Sequence, residues 1–442
     1  MKQFKLSILT CFLLLCSTSL VRSQSETKLS KAQITNAIES IGNILDSNYV
    51  FPEVAKKMTS LMKANLKKGA YNAMSDPQAL ASTLTKDLQS ISHDKHLRVM
   101  YNPEQIAAQE RVVTPEDSIA YVENRVNQMK FQNFGFKEVK ILDGNIGYLD
   151  LRAFMDTRYA SETAVAAMNF LSSADVIIVD LRNNGGGSPS MIQLITSYLY
   201  PSGRIHLNNF YNRPADSRTQ TWTLPHVPGN RNPNAKVFVL TSSSTFSAAE
   251  EFSYNLKHLE RATLIGETTG GGAHPGGTIN ATEGFMVWTP TGRAINPITN
   301  TNWEGTGVVP HIKVPANEAL EVAEMQALEY LVKKTDDEQL KYRYNWALTS
   351  KKAMKNPMSV KKSILKTYVG TYDERKVTME NGTLYYQRAN RGKYKLVPIK
   401  ENEFMVGDLS FFRVRFIKEN NKITAIQGVY DTGRTDKNLK TN

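Results

Sequence analysis

The chain has 442 residues and a formal charge of +12, length enough for two or three domains with sizeable cores. Its two cysteines, Cys11 and Cys16, both lie in an apolar N-terminal leader, which excludes a thiol nucleophile, a disulfide and a cysteine metal site from the mature protein. The positive charge is spread among acidic residues, with no basic block or basic helix with interleaved aromatics, so nucleic-acid binding is not expected.

The leader "MKQFKLSILTCFLLLCSTSLVRSQSE" has Lys2 and Lys5, an apolar stretch to about Val21 and small residues near Ser23. That pattern predicts a secretory signal peptide over 1–23 and a secreted or periplasmic protein. Cys16 follows Leu15 and Cys11 follows Thr10, against a lipoprotein signal, and no later segment is apolar enough to span a bilayer. Residues 24–105 read as a helical domain, with apolar residues three and four apart until "SHDKHLRVMY" turns towards strand. Residues 102–135 are polar, a helix or linker.

From 136 the rhythm changes. "VKILDGNIGYLDLRAF" predicts a strand pair turning at Asp143-Gly144. Then "SETAVAAMNFLSS", "ADVIIVDLR", "SPSMIQLITSYLY", "AKVFVLTS", "AAEEFSYNLKHL" and "ATLIGET" alternate helix and strand. Such alternation implies right-handed βαβ units on a largely parallel sheet, an α/β core assigned here to 106–340. "GFMVWTPTGRAI" is a further hairpin candidate, and residues 317–334 form an amphipathic helix. Residues 350–442 carry short alternating segments broken by Asn-Gly, Gly-Asp and Asn-Asn, which predicts an antiparallel β module, a sheet or small barrel with an accessory or binding role.

Without cysteine, nucleophilic catalysis falls to Ser, Thr, Lys or a carboxylate. "LTSSSTFSAAEEFSYNL" puts Ser247 at the start of a helix that follows a buried strand. Ser247-Ala-Ala-Glu250 has the spacing of a capping box, in which Glu250 reaches back to the helix start. The same position, at the carboxyl end of a strand beside free helix N–H groups, suits a nucleophile. "DLRNNGGGS" (180–188) is a strand-to-helix turn whose glycines let backbone N–H groups approach a substrate. His93 and His96 share "SHDKH", but no third ligand follows in sequence and H-E-x-x-H is absent, so no metal is expected. Ser-x-x-Lys occurs at Ser60, Ser359 and Ser363, among others, without the Ser-Asp-Asn and Lys-Thr-Gly elements of β-lactamases, and no G-x-S-x-G elbow exists.

Taken in order, "DVIIVDLRNNGGGS", "VFVLTSSSTFSAAEEFSYNL", "RATLIGETTGGGAHPGG" and "NWEGTGVVPHI" resemble the S41 family of serine peptidases. That family includes the tail-specific processing proteases, the tricorn core protease and the retinoid-binding protein of the retina. The resemblance covers roughly residues 30–335 and implies a ClpP/crotonase-like core and acyl transfer on peptide or protein substrates, with no cofactor. Position by position, Ser247 matches the nucleophile, Ala248 supplies one oxyanion N–H and Gly186 the second. The tail-specific branch uses a Lys base where this chain has Gly272, so that dyad is missing. The tricorn-like branch uses a His and a Glu instead, matched here by His96 in "DKHLRV" and Glu304 in "NWEGTGVVP", although Lys95 stands where tricorn has a Ser. Gly271, Gly272 and His274 match the substrate-binding glycine loop, with His274 a rival base. The span between His96 and the first core strand is too short for the PDZ domain of tail-specific enzymes. A non-catalytic protein holding apolar ligands or peptides on the same scaffold is the alternative.

Overall fold

A computed structural model describes residues 28–111 and 114–441; the expected signal peptide, 1–23, lies outside them. Helices α1 (Lys31–Asn48), α2 (Pro52–Lys67) and α3 (Pro77–Ser92) precede strand β1 (Arg98–Tyr101) and helices α4 (Pro103–Glu110) and α5 (Pro115–Phe131). The α/β region follows with β2 (Phe136–Leu142), β3 (Ile146–Leu151), α6 (Thr157–Phe170), β4 (Val176–Asp180), α7 (Pro189–Tyr198), β5 (His206–Asn212), β6 (Ser217–Trp222), β7 (Lys236–Thr241), α8 (Ala248–His258) and β8 (Ala262–Gly266). It closes with β9 (Gly276–Asn280), β10 (Phe285–Pro290), β11 (Gly292–Ile295), β12 (Ile312–Lys313) and α9 (Ala319–Lys334). Helices α10 (Glu338–Lys355) and α11 (Lys362–Tyr368) lead into the C-terminal strands, from Gly370–Tyr372 to Thr435–Leu439.

Among the described residues the central sheet has six strands in the order β12-β8-β7-β4-β3-β2. The pairs from β3 through β4, β7 and β8 to β12 are parallel, and β2 is an antiparallel edge. The strands β4 and β7 read "VIIVD" and "KVFVLT" because both sheet faces are covered. Val179, Val237 and Val239 face helices α6, α7 and α8, while Ile178, Phe238 and Leu240 face α9 and α10. Parallel order brings the carboxyl ends of β4 and β7 side by side, and the turns that follow them face each other.

The N-terminal helices begin on the caps their sequence offers: Ser30 makes a capping box with Gln33, and Asp76 accepts from the N–H groups of Gln78 and Ala79. Their apolar faces, with Ile38, Leu45, Met58 and Leu84 buried, share one core with Val99 of β1 and with Phe285 and Val287 of β10. β1 pairs antiparallel with β10 along Arg98↔Trp288 to Tyr101↔Phe285. This pairing carries the segment preceding β1, including His96, onto the α/β core.

The structure departs from the sequence reading in three places. "GFMVWTPTGRAI" is not a hairpin, because β10 pairs with β1 and β9 while β11 turns away to pair with β5. A β5–β6 hairpin occupies a stretch without a clear signal. Helix α10 packs against α9 where only a change of composition was read. The C-terminal antiparallel module is present as expected, in eight sequential strands among the described residues, and a Tyr372–Lys440 bridge brings its two ends together into a near-barrel.

Candidate active site

Ser247 stands where the βα turn after β7 becomes α8. The turn is anchored to the neighbouring βα turn: Thr245 Oγ1 donates to the Leu181 carbonyl at 2.8 Å and the Phe246 N–H to the Asn184 carbonyl at 3.0 Å. Ser247 has φ 54° and ψ −120°, a strained conformation for a residue with a Cβ. Glu250 explains how it is held. Its fully buried carboxylate accepts from the N–H of Ser247 at 2.9 Å, of Gly271 at 2.6 Å and of Gly272 at 2.8 Å, and from the Thr269 hydroxyl. Burial raises the pKa of this carboxyl, and those four donors oppose the rise. The capping-box Glu therefore does more than cap. It ties the Ser247 backbone to the glycine loop and leaves the Ala248 N–H with no partner among the described residues.

The turn after β4 carries the three glycines. Gly186 has φ 110°, and a Cβ there would lie 2.8 Å from Ser247 Cβ and 3.0 Å from Ala248 N, so only glycine fits against the nucleophile. Its N–H, however, donates to Asn184 Oδ1 at 2.8 Å, and Asn184 is fixed by its own bond to the Leu151 carbonyl. Gly186 is thus a packing residue, and its N–H is not an open oxyanion donor. Gly187 is the better placed. It bridges Phe154 through the Gly186 carbonyl and the Ser188 N–H, which turns Gly187's own N–H to the opposite side. Gly187 lines the same cleft as Ser247, and its N–H has no partner among the described residues.

His96 lines this cleft too, about 430 Å³ in volume. Its imidazole is clamped between Phe246, with centroids 4.5 Å apart, and Trp288, stacked at 5.1 Å. No hydrogen bond joins the ring to the Ser247 hydroxyl among the described residues. The nearest carboxylate to His96 Nδ1 is Asp94 Oδ1 at 3.8 Å, beyond hydrogen-bonding distance. Asp94 does accept from the His96 backbone N–H at 3.0 Å. Burial lowers the pKa of His96 to about 4 against the opposing pull of Asp94, so the ring is neutral at pH 7.

Glu304 does not touch His96. It accepts from the Ala273 N–H at 2.5 Å, and one of its oxygens lies 3.4 Å from His274 Nδ1. His274 Nδ1 in turn sits 2.7 Å from Asp94 Oδ2, to which the Tyr49 hydroxyl also donates at 3.3 Å. The sequence-matched Glu therefore stands at the far end of a buried chain, Glu304–His274–Asp94, behind the imidazole. Burial first, and the Asp94 charge second, push Glu304 up to about 7. Donor atoms of these three residues lie within 4.8 Å of one another, a set a divalent cation could use, although the Asp94–His274 hydrogen bond accounts for the spacing by itself.

Gly271, Gly272 and His274 do not line the Ser247 cleft. The two glycines are buried with their N–H groups on Glu250, and His274 opens onto a separate cleft with Tyr49 and Arg293. Gly272 has a steric role: a Cβ there would fall 2.2 Å from Phe246 Cζ and 2.6 Å from His96 Cε1. The space a lysine would need at this position is filled by the histidine and its aromatic support.

Sequence reasoning missed Asp94, Trp288, Phe246 and Gly187. Asp94 was visible in "SHDKH", two residues from His96, as a carboxylate beside an imidazole. Trp288 is 192 positions further on, and only the β1–β10 register brings it to the ring.

A strained serine at a helix N-terminus, glycine-backed N–H groups and a neutral imidazole share one cleft, the group types on which serine hydrolysis draws. Comparison with known proteins carries this further. The model for "Peptidase family S41" matches residues 145–314, and that for the "N-terminal domain of Peptidase_S41 in eukaryotic IRBP" matches 21–133, together more than half of the chain. The chain belongs to peptidase family S41, and its class is that of a serine-type peptidase. Similar solved structures include one from Bacteroides fragilis assigned to the S41 proteases, at 20% identity over 50% of this chain and 58% of that one, TM-score 0.38. The photosystem II D1 C-terminal processing protease matches at 14% identity over 65% and 94%, TM-score 0.42. The tricorn protease matches at 15% over 73% of this chain and 37% of its own length, TM-score 0.42. Among the described residues no helix is long and apolar enough to cross a membrane.

Proposed function

We propose that the protein is a secreted or periplasmic serine endopeptidase that cleaves peptide or protein substrates through an acyl-enzyme. Ser247 Oγ attacks the scissile carbonyl carbon while His96 takes the hydroxyl proton. The tetrahedral oxyanion is bound by the N–H groups of Ala248 and Gly187, Gly187 taking the role first read for Gly186. The C–N bond then breaks, His96 returns its proton to the leaving amine, and water, deprotonated by the same imidazole, releases the acyl group. Asp94 orients the His96 segment, and Glu304 acts from a distance by holding His274 against Asp94.

The observation that carries this reading is the strained Ser247 backbone at a helix N-terminus in a cleft shared with a neutral imidazole. Apo catalytic hydrogen bonds are often open, so the missing Ser247–His96 bond is compatible with it. The test is a serine-directed fluorophosphonate probe together with a peptide library. Ser247→Ala must abolish both labelling and cleavage, and equal cleavage by variant and wild type sinks the proposal. Export is supported by the leader sequence and is tested by comparing the N-terminus of the protein recovered from the host with residue 24.

A second reading, a binding protein for apolar ligands or peptides, is favoured by one observation. Among the described residues His96 Nδ1 is buried with no hydrogen-bond partner, which leaves the imidazole weakly basic and its tautomer unfixed. Absence of labelling across a wide pH range would select it.

A further inference from the structure

The cleft that holds Ser247 has a wall chosen by strand alternation. In the β1–β10 pair, Val99 and Val287 face each other into the helical core. Arg98 and Trp288, one residue along, therefore face the opposite side, and Met100, two residues from Arg98, shares that side. All three line the Ser247 cleft.

The chemistry of this wall is uneven. Met100 and Trp288 are half-buried and offer an apolar slot, with the Trp288 ring stacked on the His96 imidazole, so whatever fills the slot lies beside the base. The rim is cationic. Arg98 is exposed and has no carboxylate within 4.0 Å among the described residues, whereas most arginines of the α/β core pair with an acid or a carbonyl. Lys95 adds a second positive charge, held at the edge because its ammonium donates to the Gly270 carbonyl at 2.6 Å. Among the described residues no Asp or Glu lines the cleft. A volume of about 430 Å³ admits a large side chain, and methionine adapts its shape to several of them.

We infer that this cleft selects polypeptides that carry a large apolar residue (Leu, Met or Phe) with an Asp or Glu beside it. The apolar side chain sits between Met100 and Trp288, and the carboxylate meets Arg98. Arg98 and Met100 are the specificity-determining residues. As a statement about cleavage this rests on the peptidase reading; as a statement about binding it does not.

The experiment separates the two. Fluorescein-labelled peptides that differ only in one pair of residues, Leu-Asp, Leu-Lys or Gly-Asp, are titrated by anisotropy against the full Ser247→Ala chain, which binds without turnover. The expected order is Leu-Asp tightest, with Leu-Lys and Gly-Asp several-fold weaker. Arg98→Glu shifts the Leu-Asp to Leu-Lys ratio of Kd by about fivefold or more towards the lysine peptide, the range of an exposed ion pair made or reversed. Met100→Asp collapses the Leu to Gly preference. Circular dichroism of each variant separates a changed preference from misfolding. No binding, indifference to the acidic residue, or a ratio that a folded Arg98→Glu leaves unmoved overturns the inference. Wild-type cleavage of the same peptides is read in parallel. Selective binding without Ser247-dependent hydrolysis defeats the peptidase reading alone, and hydrolysis without the selectivity defeats the inference alone.

Discussion

The turn that presents Ser247 and the turn that presents His96 are held in opposite ways. Around Ser247 the backbone carries the geometry: its N–H, those of Gly271 and Gly272, and the Thr269 hydroxyl all converge on Glu250. Around His96 the backbone is held by a short local turn, in which the Asp94 side chain accepts from the His96 N–H and the Asp94 carbonyl from the Leu97 N–H, and the ring is positioned by aromatic faces from two other elements. The serine is preorganised by hydrogen bonds in a low-dielectric setting, where they are strong and directional. The imidazole is preorganised by shape, which sets the plane of the ring and leaves its Nδ1 without a partner among the described residues. In such a site the serine is placed tightly and the proton acceptor is tuned loosely.

The largest test of that contrast is removal of the nucleophile itself. Ser247→Ala leaves the Glu250 network whole, since that network uses the backbone N–H, and kcat on a fluorogenic peptide falls by roughly 10³-fold or more. Retention of wild-type kcat would place the chemistry elsewhere.

Gly272→Ala attacks the shape side. Its new Cβ collides with Phe246 and His96, both held by packing, so the base must move. A displacement of about 1 Å at a reacting group costs on the order of 10²-fold in kcat/KM. Overpacking lowers stability as well, by about 1–3 kcal/mol in urea unfolding. A silent Gly272→Ala breaks the claim that the aromatic clamp positions the base.

Asp94 against Glu304 sharpens the comparison. Asp94 is the carboxylate nearest His96 Nδ1, but at 3.8 Å it cannot hold a tautomer as a bonded partner would. Asp94→Asn should therefore lower kcat by about 10–10²-fold, less than in a bonded triad. Glu304→Gln, one histidine further back, should cost less than tenfold, and the double variant should show non-additivity because Glu304 acts on His96 only through His274 and Asp94. If Glu304→Gln is the more damaging of the two, Glu304 reaches the imidazole in the substrate complex.

The contrast also explains what was legible in the sequence. The placing of Ser247 was readable because strand, turn, serine and capping Glu are contiguous from 236 to 250, and local chemistry decides their arrangement. The parallel core was readable for the same reason, since "DVIIVDLR" and "AKVFVLTS" are each buried on both faces. The three glycines are visible in the sequence, but not that Asn184 would engage the N–H of Gly186. Glu304 was matched to the family pattern, yet whether it reaches His96 depends on His274 and Asp94 lying between, and that is a tertiary fact. The hairpin expected at 284–295 failed because alternation reports strands, not partners. β10 finds a better apolar face on β1 and the N-terminal helices than on β11.

The smallest effect is on stability, and it tests whether Glu304 is a buried acid at all. Its pKa is pushed up from 4.5 to about 7, so the folded chain holds a proton that the unfolded chain has released. Where the folded state binds more protons, stability falls as pH rises, here across roughly pH 4.5 to 7. Glu251, fully buried and also raised to about 7, acts with the same sign. His96 works the other way: its pKa falls from 6.5 to about 4, so its burial costs stability as pH drops through that interval. Glu304→Gln should remove one part of the alkaline loss, on the order of 1–3 kcal/mol between pH 4.5 and 8, and leave the Glu251 part in place. His96→Asn should instead flatten the acid side. Urea unfolding at several pH values reads both slopes. A Glu304→Gln slope identical to wild type would mean that the carboxyl is ionised in the folded protein, and the chain behind His96 would then hold no neutral acid.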